Sequence, residues 1–511
     1  MKTNIRANRN YHEALALWAV MALFALSSCS SFLDVEPTDR YTEDNYWDTE
    51  ERAAASLNGV YASLLHNGLY GGTSPLYFEN LSPNTYRYQG DHNLVAQGLH
   101  DANTGLFNTV WQGAYQGIGR ANDFLANIDR VEMGEDLKKR YIAEAKFLRA
   151  VFYFPLWHLY GGAPLILDAP DDATQAGLPR NSAEELYAQI LRDLDEAAVD
   201  LPETYGASDK GRATAGAALA FKTRVLLYAG QWAAAAETAK RVIDAGTYGL
   251  FPDYRGLFFL ENEGNQEVIF DVQFRFPEFT HGFDINLDQY NNIAPLPDLV
   301  DDYYDIQGKP ISQSSIYDPA RPYENRDPRL QATVIVKGSL FKGSVVTDDQ
   351  YPRTGYGQKK YTVFKDDTPA ATIPDGQSEL NYILLRYADV LLMYAEAQNE
   401  ANGPDASVYD AINEVRARAG MPPVDETLDQ DGLREEIRHE RRIELAGEGF
   451  YYYDVRRWGI APDVLNGDIY NDKGERIDTR RFNPQRDGLW PVPAIAIQEN
   501  QALAQNEGYG N

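Results

Sequence analysis

The chain has 511 residues, 44% of them hydrophobic, and its 76 acidic against 47 basic side chains give a formal charge of −29. Such a length allows several packed units or one extended solenoid, while the acidity excludes nucleic acid as a partner, since a polyanion needs a basic face. A single cysteine excludes an internal disulfide, so the body must draw its stability from apolar burial.

That cysteine closes the first predicted element. Lys2, Arg6 and Arg9 make a positive start, Ala14 to Leu26 is an uncharged apolar run too short to span a bilayer, and Ser27, Ser28 and Cys29 follow. This is the order of a secretory signal peptide over residues 1–28, and Leu-Ser-Ser-Cys resembles the lipobox of bacterial lipoproteins, in which cleavage leaves the cysteine first and its sulfur takes a lipid. Removing Lys2, Arg6, Arg9 and Glu13 with the signal takes the charge to −31. Several acyl chains on Cys29, at roughly 0.8 kcal/mol per buried methylene, would hold a body that has no second apolar run of membrane length.

Residues 29–48 read as a polar tether, and "EERAAASLNGVYASLL" as a first helix. Apolar positions at helical spacing then recur through residues 49–246: Tyr141, Ala145, Leu148 and Phe152, then Leu186, Ile190, Leu194 and Ala197 behind a capping box of Ser182 and Glu185. Ala217, Phe221, Val225 and Tyr228 stripe one helix, Gly230 marks a turn, and Ala235, Ala239 and Val242 stripe the next, a unit of about one tetratricopeptide period. A second pair is expected within residues 382–447, with stripes Ile383, Tyr387, Val390, Tyr394 and Val408, Ile412, Val415, Ala419. Between the pairs, residues 247–375 carry strand-like runs, "QEVIFDVQF" and "ATVIVKG", among Pro- and Asp-rich turns. The fold expected is mainly α: a tetratricopeptide-like α-α superhelix with a loop-rich, partly β insertion, and a late hairpin at "YNDKGERID".

Several pieces in their shared order resemble one family: Cys29 before Phe32-Leu33-Asp34 and Pro37, "AEAKFLRAVFYF" ahead of "LYGGAPLIL", "YDPARPYENRDPRL", "LLRYADVLLMYAEAQNE", "ERRIELAGEGFYYYDVRRWG" and "PVPAIAIQENQALAQNEGYGN". Together they look like the SusD/RagB family of Bacteroidetes outer-membrane lipoproteins. The resemblance implies an SusD-like N-terminal region over 49–246 and a RagB/SusD C-terminal region over 247–511. It also implies a cell-surface lipoprotein on the outer membrane that binds glycans, or sometimes peptides, works with a SusC-like TonB-dependent transporter, and has neither chemistry nor cofactor of its own. Pro155, inside "FYFPLWHLYGG", departs from the family pattern and is expected to bend or end its helix.

The residues themselves leave enzymatic readings weak. No H-E-x-x-H, P-loop or G-x-S-x-G occurs, and Glu440 and Glu444, one turn apart beside Arg438, Arg441 and Arg442, read as a structural network and not as an acid and a base. Asp318, Asn325 and Asp327 read as turn residues and not as a calcium site, because the calcium-loop spacing is missing. By the family resemblance the ligand face comes from two loops, which here carry Asn84, Tyr86, Arg87, Tyr88, Asp91 and Asn93, and Phe283, Tyr290, Asn291 and Asn292. Aromatic rings suit the C–H faces of sugars, and amides, carboxylates and arginine suit their hydroxyls. The alternatives are a peptide- or protein-binding scaffold of the same fold and a surface glycoside hydrolase.

Overall fold

Nine helices of thirteen residues or more organise the computed structural model, which describes residues 47–510 apart from Thr73; the signal peptide, Cys29 and most of the tether lie outside the described residues. They are α1 (Glu50–Ala62), α2 (Gly105–Asn127), α3 (Glu135–Tyr160), α4 (Ala183–Asp200), α5 (Ala215–Tyr228), α6 (Trp232–Asp244), α7 (Tyr387–Asn402), α8 (Ala406–Arg418) and α9 (Gln430–Leu445). Their starts follow local chemistry. The side chains of Thr49, Ser182, Thr214, Asp405 and Asp429 each accept a first-turn N–H, and Ser182 and Glu185 form the expected capping box. Gly230 turns the chain from α5 to α6 at φ +69°, a conformation that costs a residue without Cβ little.

From α2 to α8 each helix packs on the next in chain order, and α9 closes the stack against α7 and α8. The striped positions are the contact faces: Leu148, Phe152, Leu194, Phe221, Val225, Ala239, Val390 and Ile412 are all fully buried. Small residues at Ala217, Ala235 and Ala239 let α5 and α6 approach closely. A bidentate pair adds direction to the packing of α3 on α4, with Arg149 Nε and Nη2 donating to Asp193 at 2.8 and 2.7 Å. The mainly helical frame is thus the expected one.

Two local expectations differ. Pro155 does not end α3, which runs on to Tyr160 with Phe152, Tyr153, Leu156 and Leu159 buried on both sides of it; packing outweighs the one backbone hydrogen bond that proline removes. Ile383 is not helical but lies in the strand Tyr382–Arg386, which pairs antiparallel with Val268–Val272 and feeds directly into α7. The run "YILLR" is buried on both faces, so it carries no alternation to tell strand from helix. Of "ATVIVKG" only Val334–Ile335 is strand, paired with Gly357–Gln358, and the late hairpin forms from Gly467–Tyr470 and Arg476–Arg480.

Beneath the junction of α7, α8 and α9 lies a buried network of charges. Arg386 uses all five donors: Nε and Nη2 reach Glu448 at 2.9 and 2.6 Å, Nη1 reaches Glu267 and Glu444 at 2.8 and 2.6 Å, and Nη2 also reaches the Glu444 carbonyl at 2.9 Å. Arg329 bridges Asp327, Glu440 and Glu444, Arg418 bridges Glu267 and Glu444, Arg416 meets Glu440, and Lys360 meets Glu448. Five cations therefore face five carboxylates in the interior. A parallel chain runs from Arg224 through Asp389, Arg441, Asp454 and Arg457 to Glu396.

These networks set the acid limit of the fold. Burial alone would raise the Asp389 carboxyl, but Arg441 and Arg224 bring it down to about 2, and Arg418, Arg386 and Arg329 likewise hold Glu444 well below the carboxylate range against burial. Stability from such groups is complete above the ordinary carboxylate range and is lost as pH falls through the lowered values. Elsewhere burial raises carboxyls, Glu263 to about 7 and Asp271, Asp284 and Glu79 in the same direction. Those groups cost stability near neutrality and recover it on protonation. Thermal denaturation followed from pH 8 to pH 2 should therefore show greatest stability in the mildly acidic range, about pH 5 to 6, and a steep fall below about pH 4.

Candidate functional site

The two loops singled out in the sequence meet. Thr85–Tyr86 pairs antiparallel with Ala294–Pro295, the Tyr77 hydroxyl donates to Asn286 Oδ1 at 2.8 Å, and Asn80 Nδ2 donates to the Asn292 carbonyl at 3.1 Å. The first loop is also bolted to the helical frame. Buried Glu79 accepts from Gly449 N and Asn84 Nδ2, Asn84 Oδ1 accepts from Arg442 Nε of α9, and Arg480 donates to the carbonyls of Asn80 and Thr85 at 3.0 and 2.6 Å. A surface supported by this many directional bonds is formed before any ligand arrives.

Within this junction the candidate residues divide. Tyr88 and Tyr290 reach the surface, 43% and 50% exposed, one from each loop. Between them stands Arg353, whose guanidinium carbon lies 3.6 Å from the Tyr88 ring centroid and whose Nη1 donates to the Tyr290 carbonyl at 3.0 Å. Arg87 is half-buried, stacked 4.2 Å over the Tyr77 ring. The rest of the expected ligand face points inward. Asn84 is fully buried with both ends of its amide used. Tyr86 packs with Leu296 and Ile469, and burial followed by the charge of Asp478 pushes its hydroxyl up to about 12.

Asp91 accepts from Leu106 N at 2.7 Å and so caps the start of α2, Asn93 is buried, and Phe283 is core, its ring 3.8 Å from that of His281. Asn291 is buried with its amide donating to the Tyr356 carbonyl at 3.0 Å, and Asn292 donates to Asn286 Oδ1 at 2.8 Å. Nothing in the sequence singles out Arg353, which lies in a Tyr- and Gly-rich stretch of the insertion, "YPRTGYGQ", with no periodicity to mark it.

Beside the same strand pair a groove of about 540 Å³ opens between residues 296–312 and the late hairpin. Tyr304 and Tyr470 contribute rings to it, Asp298, Asp301 and Asp468 contribute carboxylates, and Arg442 lies in it, paired with Asp302 at 3.0 Å. Its volume and mixed lining are those of a small-molecule or oligomer site. The carboxylates that spacing placed one turn apart, Glu440 and Glu444, lie in the interior and are held by arginines. Asp327 is bound to Arg329, and Asp318 to Arg321. Among the described residues no group of three or more His, Cys, Asp or Glu side chains is placed to hold a metal ion, and no helix is long and apolar enough to cross a membrane.

Comparison with known proteins covers nearly the whole chain. Residues 263–509 match the model of the SusD family, and residues 31–227 match a model described as starch-binding associating with outer membrane. A SusD-like protein, P25, of Formosa agariphila is 26% identical, with 96% of this chain and 98% of the relative aligned. A solved SusD-like carbohydrate-binding protein of Bacteroides fragilis is 28% identical with a TM-score of 0.82, covering 90% of this chain and all of that one. Another SusD-like structure from Bacteroides fragilis is 29% identical with a TM-score of 0.80, covering 93% of this chain and all of that one.

Proposed function

The chain belongs to the SusD/RagB family, and from that membership and the arrangement of its loops we propose that it is a cell-surface lipoprotein that captures an oligosaccharide and delivers it to a SusC-like TonB-dependent transporter. The observation that carries the glycan reading is the convergence of Tyr88 and Tyr290 from two distant loops onto one rigid, exposed patch. Rings held open to solvent cost apolar hydration that a sugar face relieves, and the adjoining groove supplies hydroxyl- and amide-directed groups. The reading includes no catalysis, because the acidic pair of α9 is buried and fixed by guanidinium groups. A glycan array probed with the purified protein tests the proposal. Selective retention of an oligosaccharide supports it, and retention of peptides alone would replace it with the peptide-binding alternative.

Lipidation of Cys29, which lies outside the described residues, supplies the proposed anchor. Cys29→Ala should abolish labelling by a lipid precursor and move the protein from the outer-membrane fraction to the soluble one. Continued fractionation with the membrane would refute the anchor. A transporter recovered with the lipidated protein in detergent, and absent from controls, is the expected result for the partner.

A further inference from the structure

Arg353 is held as few surface arginines are. Its guanidinium is stacked on Tyr88 at 3.6 Å, and Nη1 is tied to the carbonyls of Tyr290 at 3.0 Å and Asn291 at 3.4 Å. Stacking and one anchored nitrogen fix the plane of the group, so little rotamer freedom remains to be lost when the other donors bind. Among the described residues those donors, Nε and Nη2, meet no acceptor, and no carboxylate lies in ion-pair range of them. In a chain with 76 acidic and 47 basic residues this is informative. Arg434 and Arg457, held with similar rigidity, are each forked onto a glutamate, Glu400 and Glu396. Arg353 instead leaves that edge free beside the exposed ring of Tyr88 and the backbone of exposed Tyr290, with half-buried Arg87 as a second cation next to Tyr88 in sequence.

We propose that Arg353 is the specificity-determining contact of this platform and selects glycans bearing an anionic substituent, a uronate carboxylate or a sulfate ester, while Tyr88 and Tyr290 take the sugar faces. Two parallel N–H donors match two oxygens of either group, and a charge-assisted pair is roughly twice as strong as a neutral one. The negative charge of the body opposes an anionic polymer at long range, but at physiological ionic strength that repulsion is screened beyond about 8 Å, and a contact at hydrogen-bond distance is not. The selection rests on the glycan-binding reading and names its substrate class.

The test is calorimetric titration of the purified mature protein, at physiological ionic strength, with four probes: laminarin and starch as neutral glycans, oligogalacturonate for carboxylate, and carrageenan oligosaccharides for sulfate ester. The expected result is binding of at least one anionic probe, and weakening of that binding by about tenfold or more in Arg353→Gln with the denaturation midpoint unchanged. Which of oligogalacturonate and carrageenan binds tells carboxylate from sulfate. Arg353→Lys, which keeps the charge and loses the paired donors, should recover only part of the affinity. Neutral probes bound as tightly as anionic ones, or an anionic preference that survives in Arg353→Gln, would overturn the selection while leaving glycan binding intact. Failure of all four probes to bind would remove the glycan reading and this selection with it.

Discussion

Arg386→Leu should cost about 3–5 kcal/mol of stability, because it leaves Glu267, Glu444 and Glu448 in the interior without their shared counter-charge. Burying an ion costs several kcal/mol, and the network offsets this only because every donor of Arg386 has an acceptor. The wild-type network is therefore close to neutral in net stability, and its removal in part is not. Urea denaturation followed by circular dichroism is the measurement. Lys240, whose pair with Asp244 is more than half exposed on both sides, is the control, and Lys240→Ala should leave the denaturation midpoint essentially where it is. A loss in Arg386→Leu no larger than in that control would show that water enters the network and that the charges are not buried in solution.

Tyr88→Ala combined with Tyr290→Ala should weaken binding of the glycan found by array by about 2–6 kcal/mol, taking 1–3 kcal/mol for each apolar ring surface lost, while the denaturation midpoint stays put. Both rings stand outside the packed clusters, so their removal leaves no cavity. Tyr86→Ala is the instructive comparison. Because that ring packs with Leu296 and Ile469, its removal should lower stability and loosen the strand pair that sets the platform. Unchanged affinity in the double variant would move the ligand face into the groove between Asp298 and Tyr470.

The helices were legible in the sequence because one buried face at 3.6-residue spacing decides them, and their caps are local: Thr214 and Asp405 need only the residues that follow. The strand Tyr382–Arg386 was not, since burial on both faces erases its alternation. The two loops read from the sequence as one ligand face do meet, but most of the side chains named within them point into the protein. Tyr86 and Tyr88 are two apart and would share a face in a continuing strand, but the strand ends at Tyr86, so one ring turns in and the other out. Asn84 looks like a surface amide until Glu79 and Arg442, the latter far along the chain, are placed at its two ends. Phe283 has the composition of a ligand contact and the environment of a core residue. Such choices are made by tertiary partners, which no local pattern encodes.

The stacking of α6 on α7 has a kinetic meaning. Residues 245–386 lie between these neighbours, and the strands Val268–Val272 and Tyr382–Arg386 close the same gap from within. Closing a long segment is entropically costly before its contacts form, and contacts distant in sequence slow the rate-limiting step. The helices up to α6 can condense early from neighbours alone, leaving the side of α6 that α7 covers bare until α7 arrives. A half-assembled stack with such a face is prone to associate with its own kind. Folding therefore leaves the end of the stack open until α7, α8 and α9, in about the last quarter of the polypeptide, have docked.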